Sequence, residues 1–136
     1  MGNMSIEVTW DQQSENVVLY RFSGVWDWPD FTRAIERSIE LTQTLNGQRY
    51  DVIGCFLGSS RVPAGAGISY VYSAFKRKPA NCGITVVVTR SAFVRSLVEI
   101  LGRVHPETRR VFTVASTLEE ARALIARVRE TPSEPA

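Results

Sequence analysis

The chain has 136 residues, 44% of them hydrophobic, and a formal net charge of +2. That composition suits one domain with a single core and excludes a disordered chain. The apolar runs are too short to span a bilayer, and two cysteines with one histidine make no zinc set.

The elements follow from periodicity. In "SIEVTWD" (5–11), Ile6, Val8 and Trp10 share one face, and Glu7 and Thr9 the other. That alternation predicts a half-buried strand. "QQSEN" is a polar turn and "VVLYRF" (17–22) a second strand. So short a connection implies an antiparallel hairpin. "WDWPDFTRAIERSIELTQTL" (26–45) then takes the helical period. Pro29 suits a first turn, and Asp27 and Asp30 meet the positive end of the helix dipole. Phe31, Ala34, Ile35, Ile39, Leu41 and Leu45 form its apolar stripe, and Asn46-Gly47 ends it.

"YDVIGCFL" (50–57) is a continuous apolar run, as in a strand covered on both faces. The loop "GSSRVPAGAG" (58–67) follows, and the spacing predicts a second helix from Pro63. Its apolar positions are Ile68, Val71, Tyr72 and Phe75; Lys76, Arg77 and Lys78 suit its negative end, and Pro79 stops it. "ITVVVT" (84–89) is a buried strand, and Ser91 caps a third helix that runs to His105-Pro106. "RVFTVA" (110–115) is the fifth strand. Thr117 and Glu120 form a capping box for the last helix, with Leu118, Ala121, Leu124, Ile125 and Val128 inward.

The order is β-β-α-β-α-β-α-β-α. This is a single α/β domain over residues 1–130, with a five-stranded mixed sheet and helices on both faces. Residues 131–136, "TPSEPA", read as a disordered tail.

Charge is unevenly spread. Residues 58–116 hold nine Lys/Arg against two Asp/Glu, whereas residues 1–57 hold four against eight. The basic middle could attract an acidic partner, an anionic ligand or a membrane surface, or be a solvated face. The acidic N-terminal segment, which carries Trp10, Trp26 and Trp28, argues against nucleic acid. "MGNMSIEVTW" lacks a basic segment followed by an apolar one, so a cytoplasmic protein with reduced Cys55 and Cys82 is expected. "MGNMSI" fits a myristoylation pattern at Gly2, and a chance match is the simpler reading.

The glycine-rich loop lacks the GK[ST] ending of a P-loop and the third glycine of a dinucleotide fingerprint. It could still hold an anion through Ser59, Ser60, Arg61 and the close backbone approach allowed by Gly65 and Gly67. The alternative is that the two glycines only permit tight helix packing. No catalytic, cofactor or metal set is evident. His105 is the sole histidine and suits a helix C-terminus, while Asp27, Asp30, Glu119 and Glu120 are accounted for at helix starts. The third helix has a wide apolar arc, because Val94 and Val98 lie off the Phe93–Leu97–Leu101 line. Burial, a subunit interface or contact with lipid would each account for it, and Arg95 and Arg103 flank the arc.

Three stretches, "GVWDWPDF", "TRSAFVRSLVEILGRVHP" and "RVFTVASTLEEARALI", together with the element order over residues 5–129, resemble the STAS-domain superfamily. The resemblance is to the bacterial SpoIIAA-like, or STAS/CRAL-TRIO-like, proteins. It implies a domain that is not an enzyme. In STAS domains the loop after the third strand often carries an Asp-Ser pair whose serine is phosphorylated. Here Gly58 replaces the aspartate and leaves Ser59 or Ser60, or else Pro63-Ala64 occupy the site without a hydroxyl. The phosphoacceptor loop is degenerate in both alignments.

Two functions remain. One is a regulatory or protein-interaction module, with an unknown protein partner or a second copy of the chain. The other is a domain of CRAL-TRIO-like type that binds a small anionic or lipid ligand and touches membranes peripherally. An apolar cavity between the sheet and the second and third helices would mark the second; solid packing there would mark the first.

Overall fold

The two N-terminal runs pair as β1 (Ile6–Trp10) and β2 (Val17–Phe22), antiparallel, with Ile6 opposite Phe22 and Trp10 opposite Val18. The computed structural model describes residues 5–56, 61–63, 65 and 67–130. Gly2, Ser59, Ser60 and the tail 131–136 lie outside the described residues. Three parallel strands continue the sheet: β3 (Tyr50–Phe56), β4 (Cys82–Val88) and β5 (Phe112–Ala115). The five strands lie in sequence order.

That order decides the layers. Each parallel crossover steps the same way across the sheet, so crossovers of one hand put every connecting helix on one face. α1 (Trp28–Thr42), α2 (Gly67–Arg77) and α3 (Ala92–Val104) do share a face, above Val18, Tyr20, Phe22, Val52 and Val87. α4 (Leu118–Glu130) alone covers the other, packing Ala121 and Ile125 on Val17, Leu19, Ile53 and Val86.

Local chemistry sets the helix ends. Asp27 and Asp30 cap α1 reciprocally: Asp30 N–H donates to Asp27 Oδ1 at 2.8 Å, and Asp27 N–H to Asp30 Oδ2 at 3.0 Å. Asn46 and Gly47 take left-handed φ values of 53° and 85° after the short 3₁₀ turn Gln43–Leu45 that follows α1. At α4, Glu120 N–H donates to Thr117 Oγ1 at 3.0 Å, as expected. The return bond differs, since the Glu120 carboxylate takes the N–H of Ser116 at 2.7 Å rather than that of Thr117. β5 is shorter than expected because Pro106–Arg110 turn into a 3₁₀ helix after His105. α2 begins at Gly67, not at Pro63. The cause lies at Gly65, whose φ of +71° cannot belong to a right-handed helix.

Candidate functional site

The site starts from a missing side chain. Gly54 lies in the middle of β3, between Tyr20 on β2 and Val87 on β4. Glycine weakens a strand interior and gives the sheet nothing to pack. Its φ is not positive, so no backbone geometry demands it. A Cβ built there would meet only Phe22 Cε1, at 3.8 Å. Gly54 therefore marks open space above the sheet.

The roof of that space is α2, and it is a loose one. None of its residues is fully buried, although its apolar face points at the sheet. It is held at its rims. On the α1 side, Trp28 stacks on Tyr70 with ring centres 5.2 Å apart and donates its indole N–H to Gly65 O at 3.1 Å. On the α3 side, the Tyr72 ring lies flat on His105, with centres 3.4 Å apart, and its hydroxyl donates to Glu107 Oε2 at 2.8 Å.

Beneath α2 is a cavity of about 150 Å³. Phe22, Gly54, Val52 and Phe56 form its floor, Phe31 and Ile35 one wall, and Val71, Ala74 and Phe75 its roof. A second void of about 80 Å³ extends toward Val94, Leu97 and Leu101 of α3. Phe31, Phe56, Val71, Val87 and Phe112 line both, so these side chains alone divide them. Close-packed interiors hold few voids larger than water. Apolar cavities of about 150 Å³ stay dry and accept a single aromatic ring.

One corner is polar. Tyr20, Ser38, Tyr50, Lys78, Cys82 and Thr85 reach it. Tyr20 hydrogen-bonds with Ser38, and Tyr50 with Thr42 and Cys82. Burial raises the pKa of both phenols and of the Cys82 thiol, so all three stay neutral near pH 7.

The loop residues chosen from sequence have other uses where they are described. Arg61 N–H donates to Gly24 O at 3.0 Å and pairs with Val25 as an isolated parallel bridge. Gly65 supplies the carbonyl that Trp28 takes. Gly67 faces the Trp28 ring, and a Cβ there would stand 3.2 Å from it. The two glycines thus let α2 close over Trp28.

A larger crevice of about 540 Å³ opens at the C-terminal ends of β4 and β5, beside Thr89, Arg90, Ser91, Ser116 and Thr117. Each of its hydroxyl oxygens accepts a hydrogen bond. Thr89 Oγ1 accepts from Ser91 N–H, Ser91 Oγ from Val94 N–H, Thr117 Oγ1 from Glu120 N–H, and Ser116 Oγ from Arg95.

Sequence reasoning passed over Gly54, Ser38, Thr85 and the cavity role of Lys78. Two signals pointed there: a glycine inside the apolar run 50–57, and a threonine inside "ITVVV". The wide apolar arc of α3 is split. Val94 and Leu101 are buried, while Phe93, Ile100 and Val104 are exposed. Among the described residues no cluster of His, Cys, Asp or Glu could hold a metal ion. Among them, too, no helix is long and apolar enough to cross a membrane.

Comparison with protein-family models, curated proteins and solved structures gives no match to this chain.

Proposed function

We propose that this is a non-catalytic binding domain that holds a small apolar or amphipathic molecule between the sheet and α2. The observation that carries the reading is the apolar cavity floored by Gly54 and roofed by a helix with no fully buried residue. A core under selection for stability alone fills such a space. Strand β3 instead gives up a side chain at Gly54, in the middle of the floor that Val52 and Phe56 also form. The buried phenols favour hydrogen bonding over proton transfer, and His105 lies stacked on Tyr72, which supports binding rather than chemistry. This is the CRAL-TRIO-like alternative of the two readings drawn from sequence. Free Cys55 and Cys82 suit a reducing cytoplasm.

The experiment is a titration with indole, a neutral probe of suitable size, followed by amide resonances. Shifts should concentrate at Gly54, Val87 and residues 68–77. In Gly54→Val the β-branched side chain enters the cavity without a backbone clash. That variant should lose the shifts and gain about 0.5–2 kcal/mol of stability. Absence of shifts in the native protein, or their persistence in Gly54→Val, would refute the reading.

A second reading has its own observation. Phe93, Ile100 and Val104 make an exposed apolar stripe along α3, with Arg103 beside it. That stripe favours an interaction module of the STAS kind, docking on a protein partner or a second copy of the chain. Sedimentation of the native protein and of Phe93→Ser/Val104→Ser tests the self-association form: a dimer lost in the variant supports it, and a native monomer excludes it.

A further inference from the structure

The ligand's chemical class can be narrowed, on the premise that the cavity is the binding site. Its lining is apolar except at one corner, where Tyr20, Ser38, Tyr50, Cys82, Thr85 and Lys78 meet the void. Of these, Lys78 is the one charge. Its ammonium reaches the Cys82 carbonyl at 3.3 Å, a long contact, and no carboxylate among the described residues lies within ion-pair distance of it. The nearby acid is already committed: Asp51 is held by Arg49 at 2.8 Å and by Arg129 at 2.9 Å.

Lys78 also has a fixed place. It directly follows α2, and Pro79 after it stops the helix from continuing. It lines the cavity and is half-buried, as suits a long side chain that keeps its charge toward water. An ammonium without an acid, at the polar end of an apolar cavity, is matched by an anion joined to an apolar body. The volume of about 150 Å³ takes one ring with a short substituent.

We propose that the ligand is a compact carboxylic acid, with its ring or short branched chain over Gly54 and its carboxylate on Lys78 Nζ. Lys78 is then the residue that selects acids over neutral molecules of the same shape.

Phenylacetate and its neutral isostere phenylacetamide, measured by calorimetry against the full chain, form the test. The native protein should bind the acid roughly tenfold tighter than the amide, as one charge-assisted hydrogen bond implies. Lys78→Met keeps the stem and removes the charge. It should bring the two affinities together by weakening the acid alone, with the amide reporting that the cavity is intact. Lys78→Arg should restore the preference. Equal affinities in the native protein would overturn the proposal and leave the cavity reading standing. A preference that survives Lys78→Met would overturn it too, by assigning the selectivity to the general basic charge around Lys76 and Arg77. Binding of neither compound would also overturn it, and the indole titration then decides whether the cavity reading falls as well.

Discussion

The two faces of the sheet are built to different standards. On the α4 face, Val17, Leu19, Ile53, Val86, Ala121 and Ile125 are all at most 2% exposed. Charges lock that face at its borders. Asp51, with no exposed surface, accepts from Arg49, from Arg129 and from Ile84 N–H at 2.7 Å. A bulge in β4 makes this possible, because a side chain at Gly83 would collide with the Asp51 carboxylate. Asp11, at the end of β1, takes two hydrogen bonds from Arg122 of α4, at 2.8 and 3.0 Å. On the opposite face, α1 and α3 rest on the sheet, but α2 spans a void between them. One face secures the fold, and so the other can keep a void.

The comparison is tested most strongly by matched truncations. Ile125→Ala on the α4 face should cost about 2–5 kcal/mol, since it opens a cavity in packed surroundings. Ile68→Ala on the α2 face removes the same three carbons from a side chain that already borders a void and is only half-buried. It should cost about 1 kcal/mol or less. Chemical denaturation of both variants checks this. Equal losses would mean that the two faces are equally packed.

The sequence carried the architecture and hid the cavity, for physical reasons. Element types followed from period: the alternation of Ile6, Val8 and Trp10 and the run "YDVIGCF" became β1 and β3, and the stripe ending at Asn46-Gly47 became α1. Their boundaries were harder. The start of α2 is displaced by Gly65, whose left-handed turn is set by the carbonyl bond to Trp28, 37 residues away in the chain. Periodicity cannot report a contact at that range. Nor can it separate a filled core from a hollow one. Val71, Ala74 and Phe75 have the same spacing whether the sheet beneath presents valine or glycine. Strand order sharpens the point. That β1 to β5 lie in sequence order puts three helices on one face, and the middle one then depends on its neighbours for support.

A smaller effect concerns pH. Burial raises the pKa of Asp11, but the hydrogen bond and charge of Arg122, with hydrogen bonds from Ser14, outweigh it and leave the carboxyl below its ordinary value of 3.8. A folded pKa below the unfolded one gives stability that is fully present above the unfolded pKa. That stability is lost as pH falls through the folded value. Asp11→Asn should therefore cost about 1–2 kcal/mol near neutral pH, and progressively less below an ordinary aspartate pKa of about 4. Asp30 and Glu107, whose pKa values are also lowered, keep an acid slope in the variant. Urea midpoints of both proteins from pH 3 to pH 7 give the comparison. Parallel curves would mean that the pair with Arg122 does not anchor the hairpin to α4.

The finest test uses the two thiols, because the chain places one on each face. Cys55 belongs to the α4 cluster, and Cys82 borders the cavity. Burial raises both pKa values, so thiolate formation is suppressed in each, and labelling depends on opening. Opening is local where packing is thin and global where it is dense. Displacing α2 should expose Cys82, whereas Cys55, only 5% exposed although it borders the crevice at the ends of β4 and β5, should wait for the central strand β3, and so the whole domain, to open. With a bulky maleimide near pH 7.5, Cys82 should label several-fold faster than Cys55. Indole in the cavity should slow Cys82 in particular, by holding α2 in place. Low urea should accelerate Cys55 steeply and Cys82 weakly, because global unfolding exposes far more surface than the movement of one helix. Equal rates with equal urea dependence would show that α2 opens only with the rest of the fold. The two faces would then form one cooperative unit, and the void beneath α2 would be rigid rather than gated.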